Sequence, residues 1–325
     1  MKKRILSGIR PTGELHIGNY FGAISNWVTL QEENECFFMI ADWHVLTTDY
    51  DSGAEIKETS LQVAIDLLAS GIDPKKCTLF VQSSVQEHAE LALMLSMVTP
   101  LAWLERNPTY KEQIQELKGR ELHTHGFLGY PVLQAADILL YEADSVPVGG
   151  DQLPHIELTR EIARRFNYIY GNVFKEPQAL LTPISKLPGT DGRKMSKSYN
   201  NCIYLSDTRD VIEGKIKKMF TDPARKRRND KGHPDKCPVC YYQTIFNKEN
   251  LDEIKKGCST AGIGCMDCKK MLLDKFLPFM ETLSSKRSKY EAERESVTAI
   301  LEKGAQVARA KARSVLEKAR QLVKI

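Results

Sequence analysis

"GELHIGNY", residues 13–20, follows the short apolar run "RILSGI" (4–9) and gathers two glycines, a histidine and an asparagine into seven positions. Such a composition suits a strand turning into a helix around a ligand. Gly13 permits a tight turn, and Gly18 lets another group approach the backbone closely. The helix that follows presents unpaired N–H groups and the positive end of its dipole, which favours an anion. His16 and Asn19, three apart, project on one side and can donate hydrogen bonds to phosphate oxygens. The spacing is not G-x-G-x-x-G, so a dinucleotide site is not indicated.

The pattern around this turn alternates up to about residue 170. "CFFMIADWHVLTT", "CTLFVQSS" and "SVPVGG" read as further strands, separated by segments with helical spacing. In "EIKETSLQVAIDLLASGI", Leu61, Ala64, Ile65 and Leu68 fall on one side. "LGYPVLQAADILLYEA" carries Asp137 as its only charge before Glu142 and reads as a mostly buried helix. "DQLPHIELTREIARRFNYIYG" starts at a capping-type Asp and ends before Gly171. This order predicts an α/β fold with a doubly wound, largely parallel sheet. Ligands bind beyond the carboxyl ends of such strands, which is where "PTGELHIGN" lies.

A length of 325 residues exceeds one ordinary core and predicts two domains. Glycines and Pro188 in "KLPGTDGRKMSKSYNN" (186–201) break the rhythm and mark a loop between them. The expected division is a catalytic domain over 1–190, a loop over 191–205 and a mainly helical domain over 206–325. In the final helix Ala308, Ala312, Val315, Ala319 and Leu322 share one side. Arg309, Arg313, Lys318 and Arg320 lie off it and predict a basic outer face. The formal charge of +4 nominates no partner by itself. Residues 1–12 break at Gly8 and Pro11, unlike a signal peptide, and no run approaches the ~18–20 apolar residues of a membrane helix. A cytoplasmic chain without a membrane partner is expected. Disulfides are then improbable, and the eight cysteines need another explanation.

"KMSKS" (194–198) sets two lysines around a small hydroxyl residue in that glycine-punctuated loop. The arrangement suits a mobile cationic clamp on pyrophosphate oxygens. With "HIGN" it resembles the signature pair of the class I aminoacyl-tRNA synthetases. Asn19, standing where many members carry a second histidine, is similar to the tryptophanyl-tRNA synthetases. The likeness continues through "GIRPTGELHIGNYFGAI", "YPVLQAADILLY", "VPVGGDQLPHIELTREIARRFN" and "GRKMSKS". It implies a Rossmann-like catalytic domain that activates L-tryptophan with Mg2+-ATP and passes it to tRNA(Trp).

Under that resemblance His16, Asn19, Lys194 and Lys197 are catalytic. Arg10, Pro11, Thr12, Gly18, Asn19, Gly149, Gly150, Asp151 and Leu187 line the nucleotide site, together with Lys194, Met195, Ser196, Lys197 and Ser198. Arg10 replaces the glutamine of many relatives, and Gly150 an acidic residue. Asp137 is implied to accept the indole N–H. Tyr130 and Gln152 hold the amino group, and Leu6, Gln134, Val146 and Val148 wall the ring. His44 reads as a packed strand-end histidine. A symmetric homodimer, with its interface near the later helices of the catalytic domain, is also implied. An aspartate at 137 suits a phenol too, so tyrosyl-tRNA synthetase is the nearest alternative. A synthetase-like nucleotidyltransferase and a non-catalytic sensor on a synthetase scaffold are more distant ones.

Five of the cysteines, Cys237, Cys240, Cys258, Cys265 and Cys268, cluster in one stretch. Two C-x2-C pairs ordinarily suggest structural Zn2+, and soft thiolates equally suit an iron–sulfur cluster. A subgroup of the resembled family holds a [4Fe–4S] cluster on C-x22-C-x6-C-x2-C. Cys258, Cys265 and Cys268 match its last three ligands, and Cys237 is the first across a shorter gap of 20 residues, with Cys240 spare. Between Lys215 and Lys231 eight residues are Lys or Arg against two Asp, which predicts a surface that tracks tRNA phosphates.

Overall fold

The computed structural model describes residues 2–51, 53–116, 122–181 and 187–325. Lys186, the first residue of the loop read from the sequence, lies outside them. The apolar runs form parallel strands β1 (Arg4–Ile9), β2 (Glu35–Ile40), β3 (Cys77–Val81), β4 (Ser145–Val148) and β5 (Gln178–Leu181). Their order across the sheet is β3-β2-β1-β4-β5. Cys36 to Ile40 are all buried, because helices cover both faces of such a sheet. β1 pairs with β2 on one side and β4 on the other, so the winding reverses there. The carboxyl ends of these strands deliver Arg10, Asp42, Gln82 and Gly149.

Two details depart from the sequence reading. "CFFMIADWHVLTT" stops being a strand at Ile40. Asp42 then accepts from the Trp43 N–H at 3.0 Å and caps a one-turn helix, Trp43–Leu46, that carries His44. β5 was not foreseen, since "QALL" is short and holds no β-branched residue.

The chain divides into two compact units. One comprises Met1–Gly13, Ser25–Pro183 and Ala292–Ile325, and the other Glu14–Ile24 and Ile184–Glu291. The first contains the sheet and, unexpectedly, the last helix, Arg294–Val323, which the sequence reading had assigned with 206–291. Its alanine stripe explains the difference. Ala308, Ala312 and Ala319 are fully buried in the core of the sheet-bearing unit. At Gly304 the helix comes so close to β3 that an added Cβ would stand 1.8 Å from the Leu79 carbonyl oxygen.

The basic residues off that stripe keep an outer position, Arg313 and Lys318 being exposed and Arg309 and Arg320 half-buried, and they pair with neighbouring carboxylates. Arg313 bonds Glu87 at 2.7 Å, and Arg320 holds Glu90 through two nitrogens at 2.5 and 2.8 Å. Lys311 pairs with Glu142. In the second unit, helices Arg209–Lys218, Pro238–Phe246, Leu251–Ser259 and Cys265–Ala292 bury Ile216, Tyr242, Ile254 and Phe276. Tyr20 and Phe21 join that core through Phe246 and Phe279. No helix among the described residues is long and apolar enough to cross a membrane.

Candidate active site

Gly13 turns the chain at φ 110°, as its position in the motif requires. Beyond it, His16 and Asn19 close a reciprocal cap. The Asn19 N–H donates to His16 Nδ1 at 3.2 Å, and the His16 N–H donates to Asn19 Oδ1 at 3.0 Å. This fixes both side chains as donors toward any anion, through His16 Nε2 and Asn19 Nδ2. Burial, then the charge of Lys197, lowers the His16 pKa to about 4, so the ring is neutral at pH 7. A Cβ on Gly18 would meet His16 Nδ1 at 2.9 Å and Met195 Sδ at 3.4 Å, so the glycine is needed for this packing.

The helix that follows is shorter than expected. Ile17–Asn19 is one turn, continued by a wider π-helical turn at Tyr20–Ile24. The Ile17 N–H is spent on the Ile203 carbonyl at 2.9 Å and that of Asn19 on His16. Side chains rather than a free helix N-terminus therefore supply donors here.

The second unit brings this turn together with residues 187–201. Leu15 and Ile17 bond the backbone of Leu205 and Ile203, directly after the loop. Asn201, 2% exposed, pins the loop. Its Oδ1 accepts from the Ser196 N–H at 2.8 Å, and its Nδ2 donates to Asp191 at 2.7 Å and the Lys194 carbonyl at 3.1 Å. Gly189 leaves the space for it, since a Cβ there would stand 2.3 Å from Asn201 Nδ2. Met195 bonds Leu187 at 3.3 Å, and both are buried. Ser196 and Ser198 hydroxyls meet at 2.9 Å, while Lys194 is exposed and Lys197 half-buried. The sequence reading missed Asn201.

In the first unit, the helix His125–Leu139 carries Tyr130, Gln134 and Asp137. Asp137 is buried and already surrounded. Its Oδ1 accepts from His88 Nδ1 at 2.6 Å and Gln82 Nε2 at 2.8 Å, and its Oδ2 from His44 Nε2 at 2.8 Å and Gln82 Nε2 at 3.0 Å. Burial alone pushes this carboxyl up. The charge of His88 and the hydrogen bonds from both histidines outweigh it, holding the pKa at about 2. His88 reaches on to the Tyr141 hydroxyl at 2.8 Å. Sequence reasoning saw the lone carboxylate and missed its three donors, which come from the one-turn helix after β2, from the end of β3 and from the helix Glu87–Ser96. His44 is packed, as expected, and it also holds Asp137.

Tyr130 has its own support. Asn107 Oδ1 accepts from the Thr109 N–H at 3.0 Å, which turns its Nδ2 toward His155 Nδ1 at 3.2 Å. Nδ1 is thus an acceptor, and Nε2 carries the proton donated to the Tyr130 hydroxyl at 3.1 Å. Burial, then the charge of His44, lowers the His155 pKa to about 4. The unfolded chain, near pKa 6.5, takes up this proton first. Stability from the neutral ring is therefore complete above pH 6.5 and is lost as pH falls toward 4. Thermal unfolding midpoints measured across that window are expected to fall with acid, and less steeply in His155→Gln.

The remaining site residues lie near strand ends of the same unit. Leu6, Val146 and Val148 are buried in its core, and Arg10 donates to Thr48 Oγ1. Pro11 is buried and Thr12 exposed. After β4, a Cβ on Gly149 would stand 2.7 Å from Asp151 Oδ1, while Gly150 is exposed with open space around it. Gln152 donates to Asp151 Oδ2 at 3.2 Å.

In the second unit the five clustered thiols feel one another. Burial first, then the neighbouring sulfurs, raises Cys240 and Cys268 to about 11. Cys258 is raised by burial and by Cys237 and Cys265, against the opposing Arg225 charge. Arg225 Nη1 lies 3.8 Å from Cys258 Sγ, and Gln243 Nε2 donates to Cys268 Sγ at 3.3 Å. Gly232 leaves the space Cys258 Sγ fills, for a Cβ there would be 2.5 Å away. The donor set is soft and suits a thiophilic metal group. As placed, no three His, Cys, Asp or Glu side chains among the described residues form a group that could hold a metal ion.

The family model described as tRNA synthetases class I (W and Y) matches residues 1–281. The tryptophan–tRNA ligase of Thermotoga maritima is 52% identical over 325 residues, covering 99% of both chains. That of Aquifex aeolicus is 43% identical, covering 99% of this chain and 100% of its own. The chain belongs to the tryptophanyl-tRNA synthetases of class I. The tryptophanyl-tRNA synthetase of Campylobacter jejuni, solved with ADP and tryptophan, superposes with a TM-score of 0.89 at 34% identity, covering 99% of this chain and 100% of that one.

The basic segment before the cysteines is partly neutralised by its own neighbours. Lys215 is paired with Asp207 at 2.5 Å and Lys217 with Glu213 at 2.8 Å. Arg225 is buried, bonding the carbonyls of Arg228 and Ile263. Lys218, Lys226, Arg227 and Lys231 are exposed. The surface charge is therefore narrower than the sequence count suggests.

Proposed function

We propose that the chain activates L-tryptophan with Mg2+-ATP and transfers it to the 3′-terminal ribose of tRNA(Trp). The tryptophan carboxylate attacks the α-phosphorus in line and pyrophosphate leaves, after which a tRNA hydroxyl displaces AMP from the mixed anhydride. No covalent nucleophile on the protein is needed; its work is positioning and charge stabilisation. His16 Nε2, Asn19 Nδ2, Lys194 and Lys197 supply donors and charge to the phosphates, with Mg2+ arriving on the nucleotide. Gly18, Leu187, Met195, Ser196 and Ser198 contact the nucleotide in the second unit. Arg10, Pro11, Thr12, Gly149, Gly150 and Asp151 are the nucleotide-binding residues of the first. Asp137 accepts the indole N–H, while Tyr130 and Gln152 hold the amino group beside a wall of Leu6, Gln134, Val146 and Val148.

The observation that carries this reading is the buried, ionised Asp137, an acceptor-only group held in place by three donor side chains. Charging of a tRNA(Trp) transcript with labelled tryptophan tests it. Near-stoichiometric acylation is expected. Acylation of a tRNA(Tyr) transcript with tyrosine instead would overturn it in favour of the tyrosine enzyme.

The same reading extends to finer points. The clustered thiols Cys237, Cys258, Cys265 and Cys268 hold a [4Fe–4S] cluster, with Zn2+ as the alternative, and brace the surface that reads the anticodon. Soft donors and the hydrogen bond to Cys268 Sγ support this. Protein prepared anaerobically is expected to be brown with about four irons per chain, and Cys258→Ser to lose both. One zinc per colourless chain would overturn it. A cytoplasmic homodimer, with its interface near the later helices of the catalytic domain, completes the reading.

A further inference from the structure

Gln82 follows β3 directly and is fully buried. Its Nε2 donates to both oxygens of Asp137. Turning the amide over would set an oxygen against that carboxylate, so its orientation is fixed. Gln82 Oε1 then has no hydrogen-bond partner among the described residues. A carbonyl oxygen buried this way is desolvated at a cost that is recovered only when something donates to it. The donors that touch Asp137, on His44, Gln82 and His88, are meanwhile all spent on the carboxylate. What this end of the site can still offer a ligand is acceptor capacity.

We propose that Gln82 is a specificity-determining residue: Nε2 positions Asp137, and Oε1 is a second acceptor for the ring N–H of the substrate. This rests on the reading that tryptophan is the amino acid activated. An indole brings a donor and no acceptor, which matches a site rich in acceptors. A phenol brings a donor and two lone pairs, and with no spare donor its oxygen is desolvated without a partner. The aspartate alone suits either ring, and Gln82 is what tips the balance.

The test compares tryptophan with 3-benzothienylalanine, in which sulfur replaces the N–H without changing the outline. Amino-acid-dependent pyrophosphate exchange is measured for the wild type and Gln82→Met. The tryptophan/benzothienylalanine ratio of kcat/KM is expected to fall about tenfold in the variant. A purely packing role would lower both substrates together and overturn the proposal. A second measurement needs no variant. The wild type is expected to prefer 4-aminophenylalanine, rich in donors, over the near-isosteric tyrosine, and the reverse preference would overturn the proposal as well. Wild-type protein that ignores tryptophan altogether would instead defeat the parent reading, a distinct result.

Discussion

Replacing Asp137 with asparagine is expected to lower kcat/KM for tryptophan about 10^3-fold while leaving the KM for ATP nearly unchanged. The size of the effect follows from the donors already in place. His44 Nε2, Gln82 Nε2 and His88 Nδ1 converge on two carboxylate oxygens within 2.6–3.0 Å. An asparagine offers them one oxygen and points an NH2 group at the rest. A site built to hydrogen-bond a substrate N–H loses rate of that order when its acceptor no longer pairs with it. The indole N–H would lose its acceptor at the same time, so discrimination against phenylalanine should collapse with activity. Unfolding curves separate this from simple loss of fold: the variant should melt lower yet remain cooperative. Unchanged discrimination in a folded Asp137→Asn protein would remove the substrate assignment.

Lys197→Ala is expected to cut kcat for pyrophosphate exchange about 10^2–10^3-fold, the range seen when one preorganised donor to a developing charge is removed. Its ammonium lies near enough to His16 to help hold that ring neutral. The loop that carries it is fixed by Asn201 at Ser196, Asp191 and Lys194. Charge delivered from a fixed frame acts chiefly on the transition state, so the KM for tryptophan should barely move. A rise in KM with kcat intact would show that Lys197 only gathers ATP.

Much of this was legible in the sequence for reasons that can be named. The parallel sheet announced itself because strands buried on both faces read as continuous apolar runs, as "CFFMI" does. The "HIGN" turn and "KMSKS" loop were legible because each packs its functional groups into five or fewer positions. Asp137 stood out as a charge in an apolar helix. Its partners did not, because His44 follows β2 while Gln82 and His88 lie in the stretch after β3, and nothing local links them to residue 137. Asn201 was hidden likewise, as an asparagine in a polar loop whose burial appears only when the loop closes on Gly189. The last helix was legible in its two faces but not in its place. Helical spacing reveals which side residues share, not which surface that side meets. The close approach of Gly304 to β3 and the burial of the helix's alanines show the stripe packed on the sheet-bearing unit.

The central claim is that adenylation depends on one buried acceptor recognising an indole nitrogen. Pyrophosphate exchange into ATP, measured with each of the twenty amino acids in turn, tests it most directly. The account predicts exchange with tryptophan and background rates with the other nineteen, tyrosine and phenylalanine included. Exchange driven by tyrosine at a rate equal to or above that with tryptophan would contradict it.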